Sequence, residues 1–199
     1  TPRVVYMQRE NEDSGSPYNV TLSLTNFGLE SGDLIFVLLS TADSDAVLTT
    51  SGYTDLARLD ESALYYKVSN GNETSVSGTE LRSSAIAAFS VRGAAQPTAS
   101  EESIYADDGF IDLTFTTPPP SASAGYLLTF IVSGGLNNYV EDGGGSGPPL
   151  ICSALSMDGD INDAQVIIDD ASRHTSGRTF RKALDNDTAE VYQMELRSA

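Results

Sequence analysis

In the segment YNVTLSLT (18–25) every second residue is apolar: Val20, Leu22 and Leu24 alternate with Asn19, Thr21 and Ser23. Neighbouring side chains on an extended backbone point to opposite faces. A period of two therefore specifies a strand with one face in a core and the other in water. The pattern returns in FIDLTFTT (110–117), where Ile111, Leu113 and Phe115 take the apolar places. Three further segments return in the same order. The glycine-led apolar run DLIFVLLS (33–40) reappears as GYLLTFIVSGG (125–135). AQVIIDDA (164–171) stands where ALYYKVSNG (63–71) stood, and EVYQMELR (190–197) repeats the facing of SAIAAFSVRG (84–93). In that last pair Met194 and Leu196 answer Phe89 and Val91, and Arg197 answers Arg92. Four matches in one order point to a duplication. The offset grows from about 91 to about 105, which places an insertion of about a dozen residues in the second copy, at EDGGGSGPP (141–149).

Short strands punctuated by Gly, Pro and Asn, with no sustained helical period, predict an all-β chain. The expected fold is an antiparallel β-sandwich, jelly-roll-like, built from two related halves at 19–93 and 104–199. Within it, DLIFVLLS (33–40) carries an apolar run from Leu34 to Leu39 and reads as a strand covered on both faces, with a short buried helix as the alternative that periodicity allows. SGYTDLARL (51–59) adds a shorter strand, and 63–71 closes on an Asn-Gly turn signal. Residues 1–18, with RENEDSGSP in the middle, are too polar to fold alone. They are expected as an extended N-terminal arm lying on the body or on a neighbour. GAAQPTASEES (93–103) reads as the link between halves, and one compact sandwich over 19–199 is preferred to two small ones.

Charge sets limits on partners. Twenty-eight acidic against eleven basic residues give a formal charge of −17. Such a surface repels phosphate backbones and anionic membranes, so neither nucleic acid nor membrane is an expected partner. No apolar run reaches the ~18 residues of a membrane span. There is no Trp, the usual platform for stacking a sugar, although nine Tyr remain. The single Cys152, in PLICSAL (149–155), has no intramolecular partner and reads as a small buried hydrophobe.

Catalysis finds little to use. The one histidine, His174, lies in the polar segment DDASRHTSGR, and Ser146 in GGGSGPP lacks the strand–elbow–helix setting of a hydrolase nucleophile. Phosphate-binding glycine loops and Cys or His metal spacings are missing, and no cofactor is expected. Adjacent carboxylates such as Asp107–Asp108 follow from composition in so acidic a chain. The one metal candidate is Asp158, Asp160 and Asn162, at the 1, 3, 5 spacing of a calcium loop, with Asp169 in the twelfth place. The sixth place, normally the Gly of the sharp turn, is Asp163, and a strand rather than a helix is expected to follow.

Four short motifs lie in order along the first half: Gly32-Asp33-Leu34, then Ser51-Gly52-Tyr53-Thr54, then Tyr65-Tyr66-Lys67, then Arg92-Gly93. In order and spacing they resemble the skeleton of a family of β-sandwich proteins encoded by tailed bacteriophages and prophages. Tyr53 stands where that family often has Trp. The resemblance covers about 20–93, and extends to the rest through the duplication. It implies a virion setting and brings no catalytic residue. The expected function is that of a structural particle protein, a capsid decoration or cement protein made in the bacterial host cytoplasm. Its expected partners are the major capsid protein, other virion proteins and further copies of itself, as a homo-oligomer. A tail or fibre position is the alternative within that class. A carbohydrate- or receptor-binding module is the alternative outside it, using loops at one end of the sandwich such as 41–52, 70–82 and 136–148, the last with Tyr139.

Overall fold

The structure is a computed structural model. It describes residues 3–12, 18–41, 47–58, 62–80, 84–97, 102–106, 113–116, 126–133, 140–143, 151–155, 163–170, 179–182 and 189–199. Side-chain surroundings are described for 21–39, 47–56, 58, 62–78, 86–97 and 194–199. The chain divides into two compact units, Thr1–Gln96 with Ala199, and Pro97–Ser198.

In the first unit the strands are β1 (Arg3–Glu12), β2 (Tyr18–Ser23), β3 (Ser31–Thr41), β4 (Val47–Leu48), β5 (Thr54–Arg58), β6 (Ser62–Asn70), β7 (Ser75–Glu80) and β8 (Ser84–Arg92). They form a five-stranded sheet, β1-β8-β3-β6-β5, and a three-stranded sheet, β2-β7-β4. All pairings are antiparallel. First strand pairs with last, second with seventh and third with sixth, the concentric order of a jelly roll. β5 departs from it by joining β6 rather than β4.

The second unit repeats this order. Its strands are β9 (Glu102–Ala106), β10 (Leu113–Thr116), β11 (Tyr126–Ser133), β12 (Val140–Gly143), β13 (Ile151–Leu155), β14 (Asp163–Asp170), β15 (Thr179–Lys182) and β16 (Ala189–Leu196). The sheets are β13-β14-β11-β16-β9 and β10-β15-β12, so adding eight to each strand of the first unit gives the second. The four segment pairs matched in sequence are β2 with β10, β3 with β11, β6 with β14 and β8 with β16. Register agrees with them: Phe36 stands opposite Phe89 and Tyr66, and Leu128 opposite Met194 and Ile168. Met194 and Leu196 are buried, as Phe89 and Val91 are.

Three expectations change. Residues 3–12 are not an arm but β1, hydrogen-bonded along its length to β8. An edge strand needs one apolar face and tolerates charge on the other, so a polar stretch suffices there. The preferred single sandwich becomes two units, each with its own pair of sheets. The segments named as end loops, 41–52, 70–82 and 136–148, contain β4, β7 and β12. The offset, moreover, grows in three steps, ending at 105 for Phe89 and Met194. Thr54 and Ile151 hold equivalent places at 97, against 92 for Phe36 and Leu128 and 102 for Tyr66 and Ile168. The extra length is thus spread over the stretches from β11 to β13, β13 to β14 and β14 to β16.

The core of the first unit lies between its sheets. Ile35, Val37 and Leu39 of β3, Ala63 and Tyr65 of β6, and Ile86 and Ala88 of β8 meet Leu22 of β2 and Val76 of β7. Phe27, from the 3-10 turn Thr25–Phe27, closes one end. Gly78 of β7 sets the sheet separation, because a Cβ there would lie 2.8 Å from a methyl of the buried Leu39. The intervening residues Leu34, Phe36, Leu38, Leu64, Phe89 and Val91 are buried as well. The centre of the five-stranded sheet, at β3 and β8, is therefore withdrawn from water on both faces, as the apolar run within 33–40 predicts.

Candidate functional site

One end of the first unit gathers the connections β2–β3, β4–β5 and β6–β7 with the close of β8, because the even-numbered strands run towards it and the odd-numbered ones leave it. Three of the four motif segments, from Asp33, Tyr53 and Arg92, end here, and Lys67 of the fourth reaches it from β6.

The first polar group is built on a bulge. β3 shifts register between Ser31 and Leu34, with Gly32 at φ 95°, a conformation that side chains with a Cβ rarely adopt. The bulge leaves Asp33 2% exposed, and its amide donates to Glu30 O at 3.1 Å. The Asp33 carboxylate then accepts Arg92 Nε and Nη2, both at 2.8 Å, and the Glu30 amide at 2.8 Å. Arg92 Nη2 also donates to Gly28 O at 3.0 Å, and Nη1 reaches Glu30. One guanidinium thus ties the β2–β3 connection to the end of β8 with planar, bidentate geometry. Asp33 and the other acceptors raise the Arg92 pKa above its ordinary value.

A second group surrounds Glu73 in the β6–β7 connection. Its carboxylate accepts Ser69 Oγ at 2.7 Å, the Asn70 amide at 3.0 Å and Lys67 Nζ at 3.1 Å. Burial alone would raise the Glu73 carboxyl, but these donors outweigh it and hold it at about 2. A carboxyl depressed in the folded state stabilises above its unfolded pKa, and loses that contribution as pH falls through the folded value. This turn accordingly keeps its anchor until pH approaches about 2. The ammonium of Lys67 also lies 5.6 Å from the centre of the Tyr53 ring. Burial, and then the Glu73 charge, push the Tyr53 phenol above its ordinary value.

The chemistry available here is that of a staple. Each charge in these two groups is met by an opposite one. Among the described residues no three His, Cys, Asp or Glu side chains gather as metal ligands. Among the described residues two hydroxyls are buried without a hydrogen-bond partner, Tyr53 Oη and Ser90 Oγ. Ser90 is fully buried on β8 opposite Ile35. A desolvated hydroxyl with no partner costs stability, so Ser90→Ala is expected to stabilise the protein by about 1 kcal/mol. A higher urea midpoint would register it; a lower one would mean that the hydroxyl is paired.

Asp158, Asp160 and Asn162 lie outside the described residues, as do His174, Ser146 and Tyr139. Asp169 stands in β14 opposite Leu127, six residues beyond Asp163. A strand advances about 3.3 Å per residue, so those two are about 20 Å apart. Glu30, Ser69 and Glu73 were not legible as site residues. Their one signal is adjacency to motif residues and to the Asn-Gly turn. In comparisons with known proteins, the chain matches no family model, no curated protein and no solved structure.

Proposed function

We propose that this chain is a structural protein of a bacteriophage particle, serving as a capsid decoration or cement protein. The observation that carries this reading is where the motif residues go. Asp33, Arg92, Tyr53 and Lys67 are used to staple connections inside one unit and leave no open reactive group among them. Residues spent in this way favour rigidity over turnover. A twofold jelly-roll order suits the same role, since that architecture recurs in capsid proteins, although it recurs in lectins too. The charge of −17 keeps such a protein dispersed before assembly. Its partners in this reading are the major capsid protein, other virion proteins and further copies of the chain. Quantitative mass spectrometry of purified particles tests it. A copy number comparable to that of the major capsid protein is expected. A handful of copies would move the protein to the tail, and absence would end the virion reading.

A further inference from the structure

The β6–β7 connection holds the chain's single Asn-Gly pair, Asn70–Gly71. Such a pair invites a spontaneous reaction, because glycine has no Cβ to hinder its own amide. The Gly71 nitrogen, giving its proton to solvent base, attacks Asn70 Cγ, and Nδ2 leaves as ammonia. Water then opens the succinimide at either carbonyl to give aspartate or isoaspartate. Asn70, Gly71 and Asn72 are all exposed, so water and hydroxide reach the turn.

Yet both reacting groups are tied. The Gly71 amide donates to Ser69 Oγ at 2.9 Å, and Asn70 Oδ1 accepts the Asn72 amide at 2.9 Å. Ser69 is 3% exposed, and its hydroxyl donates to Glu73 at 2.7 Å. The other Glu73 oxygen holds the Asn70 amide at 3.0 Å and Lys67 at 3.1 Å. We propose that Asn70 is a latent deamidation site, kept closed by the Ser69–Glu73 pair. Ring closure requires the peptide between residues 70 and 71 to rotate towards the side chain. The pair fixes the amides of residues 70 and 71, on either side of the Asn70 Cα about which that rotation occurs. Loosening it exposes the reaction and adds one negative charge to this end of the unit.

Peptide mapping by mass spectrometry tests this on the full chain, incubated in mildly alkaline buffer. Wild type unfolded in urea supplies the unrestrained rate. Folded wild type is expected to deamidate at residue 70 at least about tenfold more slowly, the effect of one or two hydrogen bonds to a charged group. Ser69→Ala and Glu73→Gln are expected to recover most of the unrestrained rate, while Asn26, in the 3-10 turn, stays unchanged. Equal rates for folded and unfolded wild type would overturn the proposal. So would variants that remain folded by circular dichroism and react as slowly as wild type. Should Glu73→Gln fail to fold, Ser69→Ala decides, because it leaves the Lys67–Glu73 pair in place.

Discussion

Phe36→Ala is expected to lower the unfolding free energy by about 4 kcal/mol. Phe36 is fully buried and stacks on Phe89, with ring centres 5.1 Å apart and planes 12° from parallel. Tyr66 packs on its other flank at 6.4 Å. Truncation removes the apolar transfer energy and opens a cavity between strands that cannot collapse, since β3 is held by β6 and β8 on its two sides. The duplication supplies a milder comparison. At the equivalent place the second unit has Leu128, opposite Met194. Phe36→Leu should therefore cost no more than about 1.5 kcal/mol, and pairing it with Phe89→Met should restore complementary volume. Urea denaturation of the three variants measures this. A loss from Phe36→Leu as large as that from Phe36→Ala would show that the ring stack, not volume, carries the stability.

Asp33→Ala is expected to cost about 3 kcal/mol, a loss dominated by charge-assisted hydrogen bonds to a buried carboxylate. It removes three acceptor contacts at 2.8 Å in one step. Asp33→Asn should cost less, since the amide keeps one acceptor oxygen of the two. The second unit again provides the contrast. Tyr126 holds the register place of Leu34, and the residue before it in the sequence is Gly125 where the first unit has Asp33. Arg197, in the place of Arg92, is 53% exposed and reaches Glu195 at 3.8 Å. Arg197→Ala should change stability by no more than a few tenths of a kcal/mol, as exposed pairs do. Equal losses for Asp33→Ala and Arg197→Ala in urea melts would count against a special role for the first-unit staple.

The strands legible in the sequence are those whose side chains must satisfy two environments at once. β2 shows a clean alternation, and β3 an unbroken apolar run, because burial on one or both faces leaves that mark. Their counterparts in the second unit were found on the same grounds. β7 was hidden for a physical reason. Its SVSGTE carries a single large apolar residue, Val76, because Gly78 must leave room for Leu39. β1 was hidden by the charge that an edge strand tolerates. At the candidate site, Asp33 and Arg92 were visible as members of a motif series, but they are 59 residues apart. Only the fold brings the start of β3 beside the end of β8. Lys67 and Glu73 are close in sequence, yet a strand and the following connection must bend together before the pair can form.

The concentric strand order also bears on how such a chain can grow. In the first unit Arg3 lies opposite Arg92, and in the second Glu102 lies opposite Gln193. The polypeptide thus enters and leaves each unit at the same sheet edge. A copy of the gene segment can then be joined head to tail through a linker of a few residues, without threading and without disturbing either fold. By the same logic, circular permutants opened at 13–17 or 42–46 and closed between residues 3 and 92 would keep every strand pairing of the first unit.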